Sequence, residues 1–319
     1  MCITAECGTI KISIITSIYK GEKFLAHFLD HLKRIENCSE SEIIFVHNDP
    51  SEEELSLIQQ FIEQQWMKVK HLIVPREGLY CSWNRGISAA DGKYITIWNI
   101  DDVRLPDSLK LQSIALDQNP SSFLTYGNFK IVNNYGQLEG FDVIVPEYNK
   151  SNSSFRRRHH GGSFIMWRKD LHEKIGYFDE QFKLIADFDF QIRVCHAYPI
   201  VKTNHFLGYF LAGTSTNLSS NYLLQDIEHT ALHLRYGNLD LVKLPTILST
   251  IKQVKISQYR WFGNFCSTDN YSIHPLKNLL FNFPLIVIPV IYLPRHLARQ
   301  YLKKRFPSLS KIKKWISLK

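Results

Sequence analysis

The stretch Tyr94-Ile95-Thr96-Ile97-Trp98-Asn99-Ile100-Asp101-Asp102 (YITIWNIDD) joins a short apolar run directly to two adjacent carboxylates. A run of this length reads as a buried strand. Acids at the carboxyl end of such a strand stand where α/β sheets bind their ligands. Working outward, further apolar runs occur at 11–16 (KISIIT), 42–47 (EIIFVH) and 70–74 (KHLIV). Between them the apolar spacing is helical. Phe24, Leu25, Phe28, Leu32 and Ile35 share one face, Leu55, Ile58, Phe61 and Ile62 a second, and Tyr80, Trp83, Ile87 and Ala90 a third. Strands alternating with helices predict an α/β fold with a mostly parallel sheet covered on both faces. The segments that face a ligand are then 17–20, 47–53, 75–84 and 99–104.

The 319 residues are 45% apolar and 21% charged, with 20 Phe and 15 Tyr. This composition excludes a disordered or low-complexity polymer, because so apolar a chain offsets the entropy of its own ordering. The net charge of +8 is uneven: residues 294–319 carry nine Lys/Arg and no acid, and the rest carries 29 basic against 30 acidic residues. A basic tail without a known recognition module argues against a nucleic-acid partner. Six cysteines without CxxC or zinc spacing predict free thiols in a reducing cytoplasm.

Beyond residue 128 the pattern loosens. Residues 147–162 (EYNKSNSSFRRRHHGG) read as a polar, basic loop before an apolar strand at 163–167, and 213–221 as a second loop before a helix at 222–236. The expected organisation is a domain over 1–240, with a donor half at about 10–130 and an acceptor half at 131–240. A helical, basic extension covers 241–319.

Two groups carry chemistry. Asp101 and Asp102 supply hard oxygen ligands suited to Mg2+ or Mn2+; an ordinary acidic turn ahead of Pro106 is the other reading. Asp187 and Asp189 lie in Ala186-Asp187-Phe188-Asp189-Phe190-Gln191-Ile192-Arg193. Apolar neighbours would partly desolvate a carboxylate there, which suits a general base. Helix N-capping by either Asp, or an i,i+4 pair between Asp189 and Arg193, is the alternative, and for Asp189 a structural role of one of these kinds is favoured over a catalytic one. The run Arg156-Arg157-Arg158-His159-His160 could grip a phosphate or be a solvated surface loop.

The order of these pieces resembles family 2 glycosyltransferases, inverting enzymes with a GT-A fold that use nucleotide-diphosphate sugars. Residues 12–19 (ISIITSIY) resemble the first strand and nucleobase loop, and 42–51 (EIIFVHNDPS) the second strand and its acidic turn. Residues 78–86 (GLYCSWNRG) with 89–94 (AADGKY) resemble the donor-side helix running into the metal strand, and 99–102 the DXD motif. Gly161-Gly162-Ser163, Arg168 and 176–180 (GYFDE) resemble the acceptor-side loop with its GxFDE signature. Residues 186–193 resemble the ED-x-D-x-x-x-R segment. The similarity covers roughly residues 10–200.

The resemblance implies roles. Ser17 and Tyr19 flank the nucleobase, with Asn48 or Asp49 bonding it. Gly78, Ser82 and Asn84 lie along the ribose-diphosphate. Asp102 ligates Mn2+ or Mg2+, with Asp101 on the cation or the ribose. Asp187 is the catalytic base, and His160, Gly161, Gly162 and Asp189 lie on the acceptor side. The sequence departs from the family pattern at His47-Asn48, Asn99 and Ala186. These departures favour an alternative in which the domain binds a nucleotide-sugar as a scaffold without turnover.

Residues 279–293 (LLFNFPLIVIPVIYL) are uncharged but interrupted by Pro284 and Pro289, too short and broken for a span that needs about 20 apolar residues. Beside the basic tail they predict peripheral contact with the inner face of the cell membrane through 279–319, worth about 1 kcal/mol per Lys/Arg near an anionic surface. Packing of 279–293 on the domain or on another subunit is the competing reading. By family resemblance alone, the expected partners are a nucleotide-sugar of the UDP class and a glycan or lipid-linked acceptor, as in surface polysaccharide synthesis.

Overall fold

The computed structural model describes residues 10–36, 38–149, 154–212, 221–236, 258–261 and 264–267. It divides into two compact units, 1–220 and 221–319.

The first unit begins with the expected alternation: β1 (Ile12–Ile18), α1 (Glu22–Leu32), β2 (Ser41–Asn48), α2 (Glu52–Glu63), β3 (Lys68–Val74), α3 (Leu79–Ala89) and β4 (Tyr94–Ile97). There follow β5 (Val103–Arg104), α4 (Ser108–Gln118), β6 (Leu124–Val132), β7 (Phe141–Val143), α5 (Ser154–Arg157), β8 (Met166–Arg168), α6 (Leu171–Ile175), α7 (Ala186–Ala197) and β9 (Ile200–Leu211). They form one nine-stranded sheet in the order β3-β2-β1-β4-β8-β6-β9-β5, with β7 paired to β6. The pairs β3–β2, β2–β1 and β1–β4 are parallel, whereas β8 runs antiparallel to β4 and β6. The sheet is therefore mixed, with a parallel donor half.

Every residue of β2 and β4 is buried, so both faces of these strands must be covered. Leu25, Phe28 and Leu32 of α1 and Ile58 and Phe61 of α2 cover one face, packing with Ile43 and Phe45, each side chain contributing about 1.5–3 kcal/mol of burial; α3 lies on the other, against Ile15 and Val46. α3 crosses β1 closely: a Cβ on Gly86 would stand 2.5 Å from Ile15 Cγ2. α2 opens with a reciprocal cap, in which Ser51 accepts from Glu54 N while the Glu54 carboxylate accepts from Ser51 N.

The acceptor half differs from the sequence reading. The strand expected at 163–167 is β8 at Met166–Arg168, and the basic loop contains the one-turn helix α5. Asp189 makes the i,i+4 pair, accepting from Arg193 Nε at 2.8 Å. Arg193 in turn donates to Ile175 O and Tyr177 O, clamping the 175–177 turn onto α7.

In the second unit α8 (Tyr222–Arg235) buries Ile227, Ala231 and Leu232, and β10 (Gln258–Trp261) pairs antiparallel with β11 (Asn264–Ser267). The loop at 213–220, the segment 279–293 and the basic tail lie outside the described residues. Among the described residues no helix is long and apolar enough to cross a membrane.

β5 carries the chain out of the acidic loop and pairs with Gly208 of β9. A Cβ on Gly208 would overlap the Val103 carbonyl oxygen and the Phe164 ring. Gly208→Ala should lower stability by about 1–3 kcal/mol, read as a lower urea midpoint; an unchanged midpoint would contradict this packing.

Candidate active site

The acidic loop leaves β4 and turns at once. Asp102 N donates to Asn99 O at 3.1 Å, and the Trp98 indole N–H donates to Asp102 O at 3.0 Å. The Asp102 side chain, 2% exposed, accepts from Asn99 Nδ2 at 3.2 Å, from Leu211 N at 3.4 Å, and from the Ser163 hydroxyl. Burial first, and the Asp101 charge second, push its pKa well above the ordinary carboxylate range. Asp101 is half-buried, and burial raises its pKa too. Asp101 is thus the more open of the two, and Asp102 holds three segments together. The Tyr135 hydroxyl, close enough to feel both charges, is buried without a hydrogen-bond partner. A cation-and-phosphate ligand fits such surroundings: two carboxylates with hard oxygens and an unspent donor. Among the described residues no three His, Cys, Asp or Glu side chains converge, so a bound cation would depend on its ligand for the remaining positions.

The donor-side residues divide into an outer and an inner set. Tyr19, Asp49 and Gly78 are exposed and Ser17 is half-buried. Asp49 has a left-handed backbone (φ 42°), and a Cβ on Gly78 at the N-terminus of α3 would meet nothing within 4 Å. The Arg76 guanidinium lies 3.7 Å from the Tyr19 ring centroid, a cation–π platform that the sequence reading missed.

The inner set is committed to the scaffold. Asn48 Nδ2 donates to Ser82 Oγ at 3.0 Å, its Oδ1 accepts from Glu77 N at 2.9 Å, and Ser82 donates to Glu77. Asn84 donates to Phe178 O and accepts from Phe178 N, fastening α3 to the 176–180 turn. These amides and hydroxyls shape the floor of the site rather than face its opening.

Behind them, His47 Nε2 lies 3.1 Å from Glu54 Oε2 and His47 Nδ1 3.1 Å from His71 Nε2. Glu54 also accepts from Gly21 N at 2.6 Å. Burial holds both imidazoles below their ordinary pKa. Burial alone would raise Glu54, but the bonds from Ser51, Gly21 and His47 outweigh it and hold it low. His47, through Glu54, therefore locks the α1 entrance.

On the acceptor side Asp187 starts α7 with its side chain 26% exposed. Its Oδ1 accepts from Phe188 N at 2.8 Å and from the Tyr80 hydroxyl at 3.3 Å, while Oδ2 faces His159 Nδ1 at 3.7 Å. His160 N and Gly161 N both donate to Gln191 Oε1 at 3.1 Å, and Gln191 Nε2 donates to Phe155 O and Arg158 O. His160 Nε2 lies 2.7 Å from Ser154 Oγ, and Gly162 has φ 54° with Phe129 close against it. The loop at 159–163 thus meets Asp187 at His159 and Asp102 at Ser163. The Cα atoms of residues 159 and 163 are four links and at most ~14 Å apart, so one short loop touches the carboxylate of α7 at one end and Asp102 at the other. Tyr80, His159 and Gln191 lie in stretches that the sequence analysis quoted, but their contacts with Asp187 and the 160–161 amides were not foreseen, because partners 28 to 107 residues apart leave no local pattern.

The glycosyl transferase family 2 profile matches residues 13–195, more than half of the chain. The chain belongs to this family. A PGL/p-HBAD biosynthesis glycosyltransferase of Mycobacterium bovis is 25% identical over 204 residues, 60% of this chain and 72% of that protein. An uncharacterized glycosyltransferase of Rickettsia felis is 24% identical over 197 residues, 59% of this chain but 32% of that protein, so the chain spans about a third of this longer relative. In fold, the chain is similar to S. aureus TarS 1-349 in complex with UDP-GlcNAc, with a TM-score of 0.59, 19% identity, and 76% and 72% of the two chains covered. The chain has a GT-A fold.

The buried acid has a measurable signature. A carboxylate whose pKa is raised by folding stabilises the fold fully below its unfolded value and loses that contribution as pH rises through the folded one. In chelator-treated protein the Asp102 contribution should fall away between about pH 4 and about 8. Asp102→Asn should flatten the decline of melting temperature across that window; an unchanged slope would contradict the assignment.

Proposed function

We propose that this glycosyltransferase moves a hexose from a nucleotide-diphosphate donor, of the UDP class, to a hydroxyl of a glycan or lipid-linked acceptor by a single inverting displacement. The observation that carries the reading is the 159–163 loop, whose two ends contact the carboxylates assigned to base and cation.

Asp187 is the base. Its Oδ1 is occupied by Phe188 N and Tyr80, which leaves Oδ2 to accept the acceptor proton. As that proton moves to Oδ2, the acceptor oxygen bonds the anomeric carbon from the face opposite the departing nucleoside diphosphate, inverting its configuration. Asp101, backed by Asp102, would hold Mn2+ or Mg2+, which when bound neutralises charge on the leaving diphosphate. Tyr19 and Arg76 offer a stacking platform for the nucleobase beside Ser17 and Asp49. Gly78 leaves the N-terminus of α3 open to a phosphate. Gly161 and Gly162, next to His160, form the acceptor wall, and Asp189 supports it through Arg193.

The basic tail with 279–293 is assigned to peripheral membrane contact. A chain ending near residue 275 should leave the membrane fraction; its retention there would refute the anchor. For the chemistry, Asp187→Asn should lower sugar transfer by about 10²-fold or more while leaving donor affinity unchanged by calorimetry. Full activity in that variant would remove Asp187 from the base role.

A further inference from the structure

Arg104 is a charged side chain 3% exposed, two residues beyond Asp102, in a position for which no motif asks for a cation. A buried guanidinium costs several kcal/mol unless its donors are met and an opposite charge stands near. Here most of the fork is met. Nη1 donates to Gln112 Oε1 at 2.9 Å, and Nη2 faces Thr96 Oγ1 at 2.7 Å, Ile97 O at 3.1 Å and Ser163 O at 3.3 Å. The rings of Phe164 and Trp98 flank it at 5.3 and 5.9 Å; burial disfavours its charge, and the nearby Asp102 offsets part of that cost.

What these bonds hold is specific. Gln112 Nε2 donates to Phe164 O at 2.9 Å, and Thr96 Oγ1 to Ile165 O at 2.7 Å. Three consecutive carbonyls, of Ser163, Phe164 and Ile165, are therefore each held by a side chain of the donor half. Arg104 either holds the carbonyl itself or bonds the residue that does. Ser163, at the head of this run, also bonds Asp102. An apolar side chain could fill the same volume without the cost of burying a charge. It could not fix three carbonyls in register.

We propose that Arg104 is a positioning residue for sugar transfer: its guanidinium sets the register of the 159–163 loop against the acidic pair, and through that loop the placement of the acceptor relative to the donor. The inference rests on the acceptor-side reading of this loop. Lysine keeps the charge but has a single nitrogen, so it cannot bridge Gln112, Thr96 and Ser163 together. The acceptor would then be misplaced while the outer donor residues, Tyr19, Arg76 and Gly78, are untouched.

The test compares the full-length wild type with Arg104→Lys and, as a probe of the same register from its other side, Gln112→Leu. Three readouts are taken: UDP-sugar affinity with Mn2+, the ratio of transfer to acceptor over transfer to water, and hydrogen exchange of the 159–165 amides. Both variants should keep donor affinity within about threefold and lose about 10- to 100-fold in the transfer ratio, the scale expected for reactants misplaced by an ångström. Amides at 160 and 161 should exchange faster in both, with those of β1 and β2 unchanged. Unchanged exchange at 159–165, or a transfer ratio equal to wild type, overturns the role of Arg104. An equal fall in donor affinity, water transfer and β1–β2 protection also overturns it, as general loosening of the fold. Absence of any turnover by the wild type itself would instead count against the transferase reading, and the exchange data would still decide whether Arg104 sets the loop.

Discussion

A carboxylate sealed from water must find its partners inside the protein, and Asp102 finds them in three places at once. Asn99 comes from its own loop, Leu211 N from the end of β9, and the Ser163 hydroxyl from the loop that leads to Asp187. Each bond is worth more in this low-dielectric setting than it would be in water, and each absent bond would cost correspondingly more. The requirement therefore pins the turn after β4, the end of β9 and the 159–163 loop to one point. Asp101, adjacent in sequence but more open, is left free to meet a ligand.

The donor half is held by a second buried polar cluster. Glu54 belongs at once to the cap of α2, the entrance of α1 and the imidazole of His47. Gly21, whose N–H it binds, sits so close to Ile100 that a Cβ there would stand 2.6 Å from the Ile100 side chain. The nucleobase loop and the acidic loop are thus neighbours through a glycine and a glutamate. Asn48, where the family carries an acid, spends its amide on Ser82 and Glu77. The replacement exchanges a charged contact surface for a neutral brace, and the exposed stack of Arg76 on Tyr19 stands beside it.

The parallel half of the fold was legible because its strands are buried on both faces. Continuous apolar runs such as 42–47 cannot be confused with the helical spacing of 24–35. The later strands were not legible. β9 alternates irregularly, with exposed Asn204 and His205 in its middle, and β6 is interrupted by a register shift at Gly127 and Asn128. In the site, the carboxylates could be found from the sequence because acids among apolar neighbours stand out. Their supports could not. Arg104 reads as an ordinary surface arginine until β9 and the 163–165 run cover it. Gln191 inside an apolar helix gives no sign that two amides of a distant loop point at it. Ser82 and Asn84 were expected along the donor, but their bonds into the scaffold could not be foreseen, since helix periodicity does not say which polar face is buried.

The proposed role of the half-buried Asp101, backed by the sealed Asp102, is to take a nucleotide-sugar together with a divalent cation. The most direct measurement is calorimetric titration of the full chain with a panel of nucleotide-sugars, in Mn2+ and again in EDTA. The account predicts saturable binding of at least one UDP-sugar in Mn2+, weakened by EDTA and by Asp101→Ala. Binding of no nucleotide-sugar in the panel, or binding of equal strength in EDTA and in Asp101→Ala, would contradict it.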